Sequence, residues 1–252
     1  MSKAHLILAH LVLENSDYRN YWSELHDGKD KILDNSAFEM FTRGQPLFPP
    51  DKLLEVADMI GPDYLVMSDY PGEPGRKTID EATKLIPKFE ACGYKTFFVP
   101  QSKFGETNDY IETFDWGLQN SDRVGVSILG APNAFGCKND MQSYLSRFHL
   151  MGALVEKGIL DRFRHHDKLH FLGMLGGPNE IDLVRPFHHY IGSWDSSSAS
   201  WNGLNGIVFD GSPTGLLEGK LKKEVDFNYK CYPFGSVIRG EINANIINRK
   251  CL

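Results

Sequence analysis

The chain has 252 residues, a length that fits one (β/α)8 barrel and would also admit two small domains. Hydrophobic residues make up 41% and charged residues 24%, and the net charge of −6 excludes a protein coated in basic surface while leaving room for a local basic patch. The four cysteines, Cys92, Cys137, Cys231 and Cys251, form no CxxC pair and no metal-ligand spacing, so reduced thiols in a cytoplasmic compartment are expected.

In chain order, the opening MSKAHLILAHLVLENSD has a short apolar run that His10 interrupts, and no small-residue cleavage site follows. It is expected to be a first strand rather than a signal peptide, and no run is long enough to cross a membrane. Strands are expected at residues 4–9, 31–33, 63–68, 95–100, 123–129, 168–174, 190–194 and 206–209. Most are near-continuous apolar runs, the pattern of strands covered on both faces. Helices are expected at 51–60, after Pro49-Pro50, and at 78–91, ending near Gly93. Two more fall at 140–157, with Met141, Tyr144, Leu145, Phe148, Met151 and Leu154 near helical spacing, and at 179–189 after Gly176-Gly177-Pro178. Such alternation implies right-handed βαβ units, and eight strands would close into a (β/α)8 TIM barrel. A doubly wound open sheet would bring an early phosphate turn, and neither GxGxxG nor GxxxxGK[ST] follows any strand. Residues 213–252, with LEGKLKKE and GEINANIINRK, are expected to form a C-terminal elaboration packed beside the barrel of a single-domain protein.

Four polar residues stand just after apolar runs: Asp34 in KILDNSAFE, Asp69 in YLVMSD, Gln101 in KTFFVPQS and Asp195 in YIGSWDSSS. A parallel barrel gathers such residues on its C-terminal face, where its chemistry is kept. Two carboxylates suit the breaking of a glycosidic bond, and a carboxylate with an amide suits the holding of a base. Each also has an ordinary use, since aspartates cap turns and a glutamine can bond loop backbone. Asp210, just after GIVF, is a rival for either carboxylate role. The pairs His165-His166 and His188-His189 have no accompanying carboxylate spacing and read as solvated or packing histidines, and Lys220-Leu221-Lys222-Lys223 reads as a solvated face. Arg43, Arg76, Lys77, Lys103 and Lys138 lie in loops after strands and are the candidates to track a nucleic-acid backbone.

The segment Asp34-Asn35-Ser36-Ala37-Phe38-Glu39 resembles the DSGGFQ-type motif of the guanine transglycosylases, whose best-known members exchange guanine for a 7-deazaguanine in tRNA. Asp69, Val99-Pro100-Gln101-Ser102, Phe171-Leu172-Gly173-Met174 and Trp194-Asp195 match further islands in the same order, over most of residues 31–198. The resemblance implies Asp195 as nucleophile and Asp34 as general acid/base. It further implies Phe38 stacked on the base, Asp69 and Gln101 on the purine edge, and backbone at Gly173 and Met174 holding O6. The tRNA enzymes carry a C-x-C-x2-C…H zinc site that these four cysteines do not reproduce. The nearer match is therefore the zinc-free DNA guanine transglycosylases of bacteriophages and bacteria, which insert 7-deazaguanines. On that resemblance the partners are DNA, or alternatively tRNA, and a free 7-deazaguanine base. No metal or redox cofactor is called for, and a phage-encoded copy would work in the host cytoplasm. An N-glycoside hydrolase and a non-catalytic nucleic-acid-binding subunit remain as other readings, and the sequence leaves open whether a monomer or a homodimer acts.

Overall fold

Seven parallel strands follow one another along the chain: β1 (Ala4–Leu8), β2 (Asp30–Asp34), β3 (Tyr64–Val66), β4 (Lys95–Phe98), β5 (Arg123–Ser127), β6 (Leu169–Leu172) and β7 (Ile191–Trp194). The computed structural model describes residues 4–163, 167–175, 177–209 and 232–251, and in it the strands pair in sequence order from β1 to β7. Helices α1 (Ala9–Glu14), α2 (Ser16–Glu24), α3 (Ala37–Thr42), α4 (Pro50–Ile60), α5 (Gly75–Ala91), α6 (Thr107–Asn120), α7 (Gly130–Ala134), α8 (Asp140–Glu156), α9 (Asn179–Leu183) and α10 (Ser198–Leu204) follow the strands, and α11 (Phe234–Lys250) comes last. This is an α/β fold whose sheet is nearly closed into a TIM-like barrel.

The strand period of two sorts the side chains. Ala4, Ile32, Tyr64, Val66 and Phe97 fill the interior, while Ile7, Leu33, Leu65 and Phe98 pack outward with Leu53, Val56 and Phe89 of the helices. Each of these fully buried outward side chains contributes about 1.5–3 kcal/mol. A Cβ on Gly125 would lie 2.6 Å from Leu172 Cδ1 and 2.8 Å from Phe97 Cε1, so glycine on β5 lets side chains of β4 and β6 meet in the lumen. At the N-terminal mouth the Arg123 guanidinium of β5 donates to Asp30 of β2 at 2.8 Å and lies 4.1 Å from the centroid of the Tyr64 ring. β2 and β5 are not neighbours in the sheet, so this ion pair spans the curl.

The expected strand at 206–209 does not form. Gly206 closes the turn after α10, and the backbone of the next residues is satisfied by a side chain instead. Asn243 of α11 donates to Ile207 O at 2.9 Å and accepts from Phe209 N at 2.7 Å. A carboxamide carries a donor and an acceptor as a peptide unit does, so one fully buried Asn replaces a strand partner. It can reach because α10 and α11 cross closely: a Cβ on Gly203 would fall 2.2 Å from Gly240 N. α11 is thus an elaboration packed on α10. Asp210, the Lys220–Lys223 run and all of 213–231 lie outside the described residues, as do His165 and His166.

The helix expected at 179–189 is broken. α9 makes little more than one turn, and Arg185–Tyr190 continues as a 3-10 turn around Pro186, whose ring nitrogen cannot donate. His188 bonds Ile181 O at 3.0 Å and His189 stacks on Tyr190 at 4.0 Å, both packing contacts. α6 was not foreseen, although Tyr110, Phe114, Gly117 and Leu118 give it a buried face. Among the described residues, no helix is long and apolar enough to cross a membrane.

Candidate active site

The site begins where β2 ends. Alternation puts Asp30, Ile32 and Asp34 on one face of the strand, and Asp34 falls at the C-terminal mouth. Ser36 then takes a left-handed conformation (φ 58°), which in a non-glycine residue is uncommon and needs local compensation. That compensation is visible: its N–H donates to Asp34 Oδ1 at 2.6 Å, and its hydroxyl lies 2.8 Å from His10 Nδ1. Asn35 Oδ1 accepts from the N–H of Ala37, the first residue of α3, at 2.9 Å. Its amide donates to Met67 O at 2.8 Å and to Asp69 Oδ1 at 3.0 Å. Gln101 Nε2 donates to the other Asp69 oxygen at 2.6 Å. The ends of β2, β3 and β4 are therefore tied through one carboxylate.

Both carboxyls of this region hold protons more tightly than usual. Burial pushes Asp69 up to about 6, against the hydrogen bonds from Asn35 and Gln101 that pull it down. Burial also raises Asp34 well above the ordinary carboxylate range, and the charge of Glu39 adds to this. The Ser36 N–H works the other way, while the charges of Asp69 and Asp195 push Asp34 further up. Asp34, Asp69 and Asp195 thus share one electrostatic site although they come from three strand ends. Glu39, on the inner side of α3, has a buried Oε2 with no hydrogen-bond partner among the described residues.

Across the mouth, Asp195 Oδ1 accepts from His170 Nε2 at 3.0 Å and from Gly173 N at 3.1 Å. His170 is wholly buried on the inner face of β6. Gly173 takes a φ of 67°, and its carbonyl accepts from Trp194 Nε1 at 2.7 Å and from Arg147 at 3.2 Å. Arg147 is a fully buried cation: it also bonds Val126 O at 3.0 Å and Leu172 O at 2.9 Å, and it pairs with Glu180 through two N–H groups at 2.6 and 2.5 Å. Such a pair in a low-dielectric interior fixes the backbone it holds more than it adds stability. Gly173 therefore serves the carboxylate with its N–H. Met174, next along, is buried.

Phe38 is 43% exposed on α3 and has no aromatic partner among the described residues. Arg43, Lys103 and Lys138 are exposed and make no ion pair among the described residues. Arg76 and Lys77 do: Arg76 pairs with Asp80 at 2.7 Å and Lys77 with Glu73 at 3.1 Å, along a surface groove of about 530 Å³ that starts at Tyr70. Lys84 in the same groove pairs with Glu81 at 3.0 Å, so the groove is charge-balanced rather than basic. Among the described residues no three His, Cys, Asp or Glu side chains group as metal ligands.

Sequence reasoning passed over His170, Glu39, His10 as a site residue, and the Arg147–Glu180 pair. The available signals were a histidine inside an apolar strand and an arginine inside the apolar stripe of α8. In comparison with known proteins, no family model and no curated protein matches the chain.

Proposed function

We propose that the chain is a base-exchanging transglycosylase of the guanine transglycosylase type, acting on a nucleic acid through a glycosyl-aspartate intermediate. The observation that carries the reading is the meeting, at one barrel mouth, of three strand-end carboxyls in different states. Asp34 is biased to hold a proton, Asp195 is held by one oxygen, and Asp69 is clasped by two amides.

Expelling guanine needs charge stabilisation at C1′ and a proton for the departing base. Asp195 supplies the first by covalent capture, and the protonated Asp34 supplies the second. Asp34 then accepts the proton of the incoming base, and two inversions leave C1′ with its starting configuration. Asp69 accepts from the N1–H and the 2-amino group of guanine, and the amide of Gln101 and the backbone N–H of Met174 face O6. Adenine has neither the N1–H and 2-amino donors for Asp69 nor an oxygen at C6 for the Gln101 amide, and it brings a donor against a donor there. A 7-deazaguanine keeps the same edge and fits the same pocket. For a duplex substrate the base must leave the stack, and the exposed Phe38 is the ring on which it stacks. DNA is the first choice of polynucleotide because the four cysteines lack the zinc pattern of the tRNA enzymes.

The test is a base-exchange assay with labelled guanine or a 7-deazaguanine, run in parallel on DNA and tRNA. Label is expected in DNA with the wild type and not with Asp195→Ala. Label in tRNA alone would reassign the substrate, release of free guanine without uptake would make the protein a hydrolase, and full incorporation by Asp195→Ala would remove the nucleophile.

A further inference from the structure

Resting on the assignment of Asp195 as nucleophile, we infer that His170 is a positioning residue that selects the attacking oxygen: with the Gly173 N–H it holds Oδ1, so Oδ2 is the atom that bonds to the sugar. The His170 ring is 0% exposed, between Ser193 Oγ at 2.7 Å from Nδ1 and Asp195 Oδ1 at 3.0 Å from Nε2. Phe97 closes it edge-on, with ring centroids 5.5 Å apart. No part of the ring reaches solvent, so it does not touch substrate, and whatever it does it does through Asp195.

The partners fix its orientation. An ionised carboxylate only accepts, so Nε2 carries the hydrogen that faces Asp195, and Nδ1 faces the Ser193 hydroxyl. That hydroxyl has no other hydrogen-bond partner among the described residues. The Ser193 hydroxyl therefore anchors the Nδ1 edge of the ring while the Nε2–H points at Asp195. The second donor is equally fixed, because the Gly173 carbonyl is held by Trp194 and Arg147. Oδ1 has two donors, and Oδ2 has none among the described residues, on a side chain that is 19% exposed.

This arrangement acts on both half-reactions. In the first, Oδ2 bonds to C1′ as the C1′–N9 bond breaks; its electron pair leaves on the base, which takes the Asp34 proton. Oδ1 becomes the ester carbonyl oxygen with both donors in place. In the second, the incoming base gives its N9 proton to Asp34 and bonds to C1′, and the Oδ2–C1′ pair returns to the carboxylate. Donors on Oδ1 stabilise that departing carboxylate, so His170 governs turnover more than binding.

The experiment measures exchange of labelled guanine into DNA and tRNA by the wild type, His170→Phe, His170→Gln and Ser193→Ala, with melting curves for each. His170→Phe is expected to lower kcat about a hundredfold with KM for guanine nearly unchanged. His170→Gln, whose amide N–H can replace that of Nε2, is expected to recover most of the loss, and Ser193→Ala to show a smaller drop. Should His170→Phe not fold, His170→Asn takes its place, its amide being too short to reach Oδ1. A folded His170→Phe with wild-type kcat, or a Gln variant no better than Phe at equal melting temperature, would overturn the inference while leaving the enzyme reading intact. A wild type without exchange on either polynucleotide would remove that reading and this inference together.

Discussion

The two sides of the barrel mouth handle their carboxylates differently. On the β2–β4 side, Asp34 is partly buried near other acids and Asp69 is buried, and what is controlled is proton affinity: both are pushed up, Asp69 to about 6. On the β6–β7 side, Asp195 is controlled in direction, through His170, Gly173 and the Arg147–Glu180 pair beneath them. A proton donor needs an environment that favours its neutral form, and a nucleophile needs an orientation. Under the proposed function one mouth would provide both, because its carboxyls come from separate strands with separate supports.

Removing a member from each side tests this division, and the largest effect is expected at Asp195. Asp195→Asn should lower base exchange by about 10⁴-fold or more and abolish a denaturant-resistant protein–nucleic acid adduct seen on gels. An adduct that persists in the variant would move the nucleophile elsewhere. Asp34→Asn should lower exchange about 10²- to 10⁴-fold, yet make the protein more stable at pH 7. The sign follows from linkage: Asp34 binds its proton more tightly folded than unfolded, so its contribution to stability declines as pH rises through the raised value. A melting temperature at pH 7 lower than that of the wild type would contradict that burial.

Next in size is the support of the β6–β7 side. Arg147→Met leaves Glu180 buried and unpaired and should destabilise by about 3–5 kcal/mol, whereas adding Glu180→Leu should restore most of it. Denaturant titration of the three proteins decides, and a double variant as unstable as the single would mean that Arg147 acts through its carbonyl contacts instead. This network was also the part hardest to read from the chain. Asp34, Asp69, Gln101 and Asp195 are legible because each breaks an apolar run at a strand end, and a parallel sheet must bring such ends together. Arg147 and Glu180 are 33 positions apart and look like one polar residue in a helix stripe and one after a glycine turn. His170 carries no mark of its partner until β6 and β7 pair, with a register irregularity between Leu169 and His170. The eighth strand failed for a related reason: residues 206–209 have the same apolar pattern whether a strand or the Asn243 amide satisfies their backbone.

Proton affinity on the β2–β4 side gives a milder effect that pH reads directly. Under the proposed function, recognition of guanine needs Asp69 ionised, so kcat/KM for the base should fall as pH is lowered through about 6 and hold above it. The Asn35 and Gln101 donors keep that value from rising further, so Asn35→Ala should move the acid limb upward. An acid limb that stays in place in Asn35→Ala would show that another group controls it.

The smallest expected effect belongs to Phe38, and it separates surface recognition from the chemistry beneath. The ring is 43% exposed, so Phe38→Ala should keep the melting temperature within about 1–2 °C of the wild type. Lost stacking on one base is worth about 1–3 kcal/mol, which should appear as a rise of roughly 5- to 150-fold in KM for the polynucleotide, with kcat little changed. Phe38→Trp should keep the wild-type KM, because stacking asks for a flat ring and not for a particular one. A drop in kcat alone would instead place Phe38 in the transition state, where it would be holding the sugar for Asp195 rather than receiving the base.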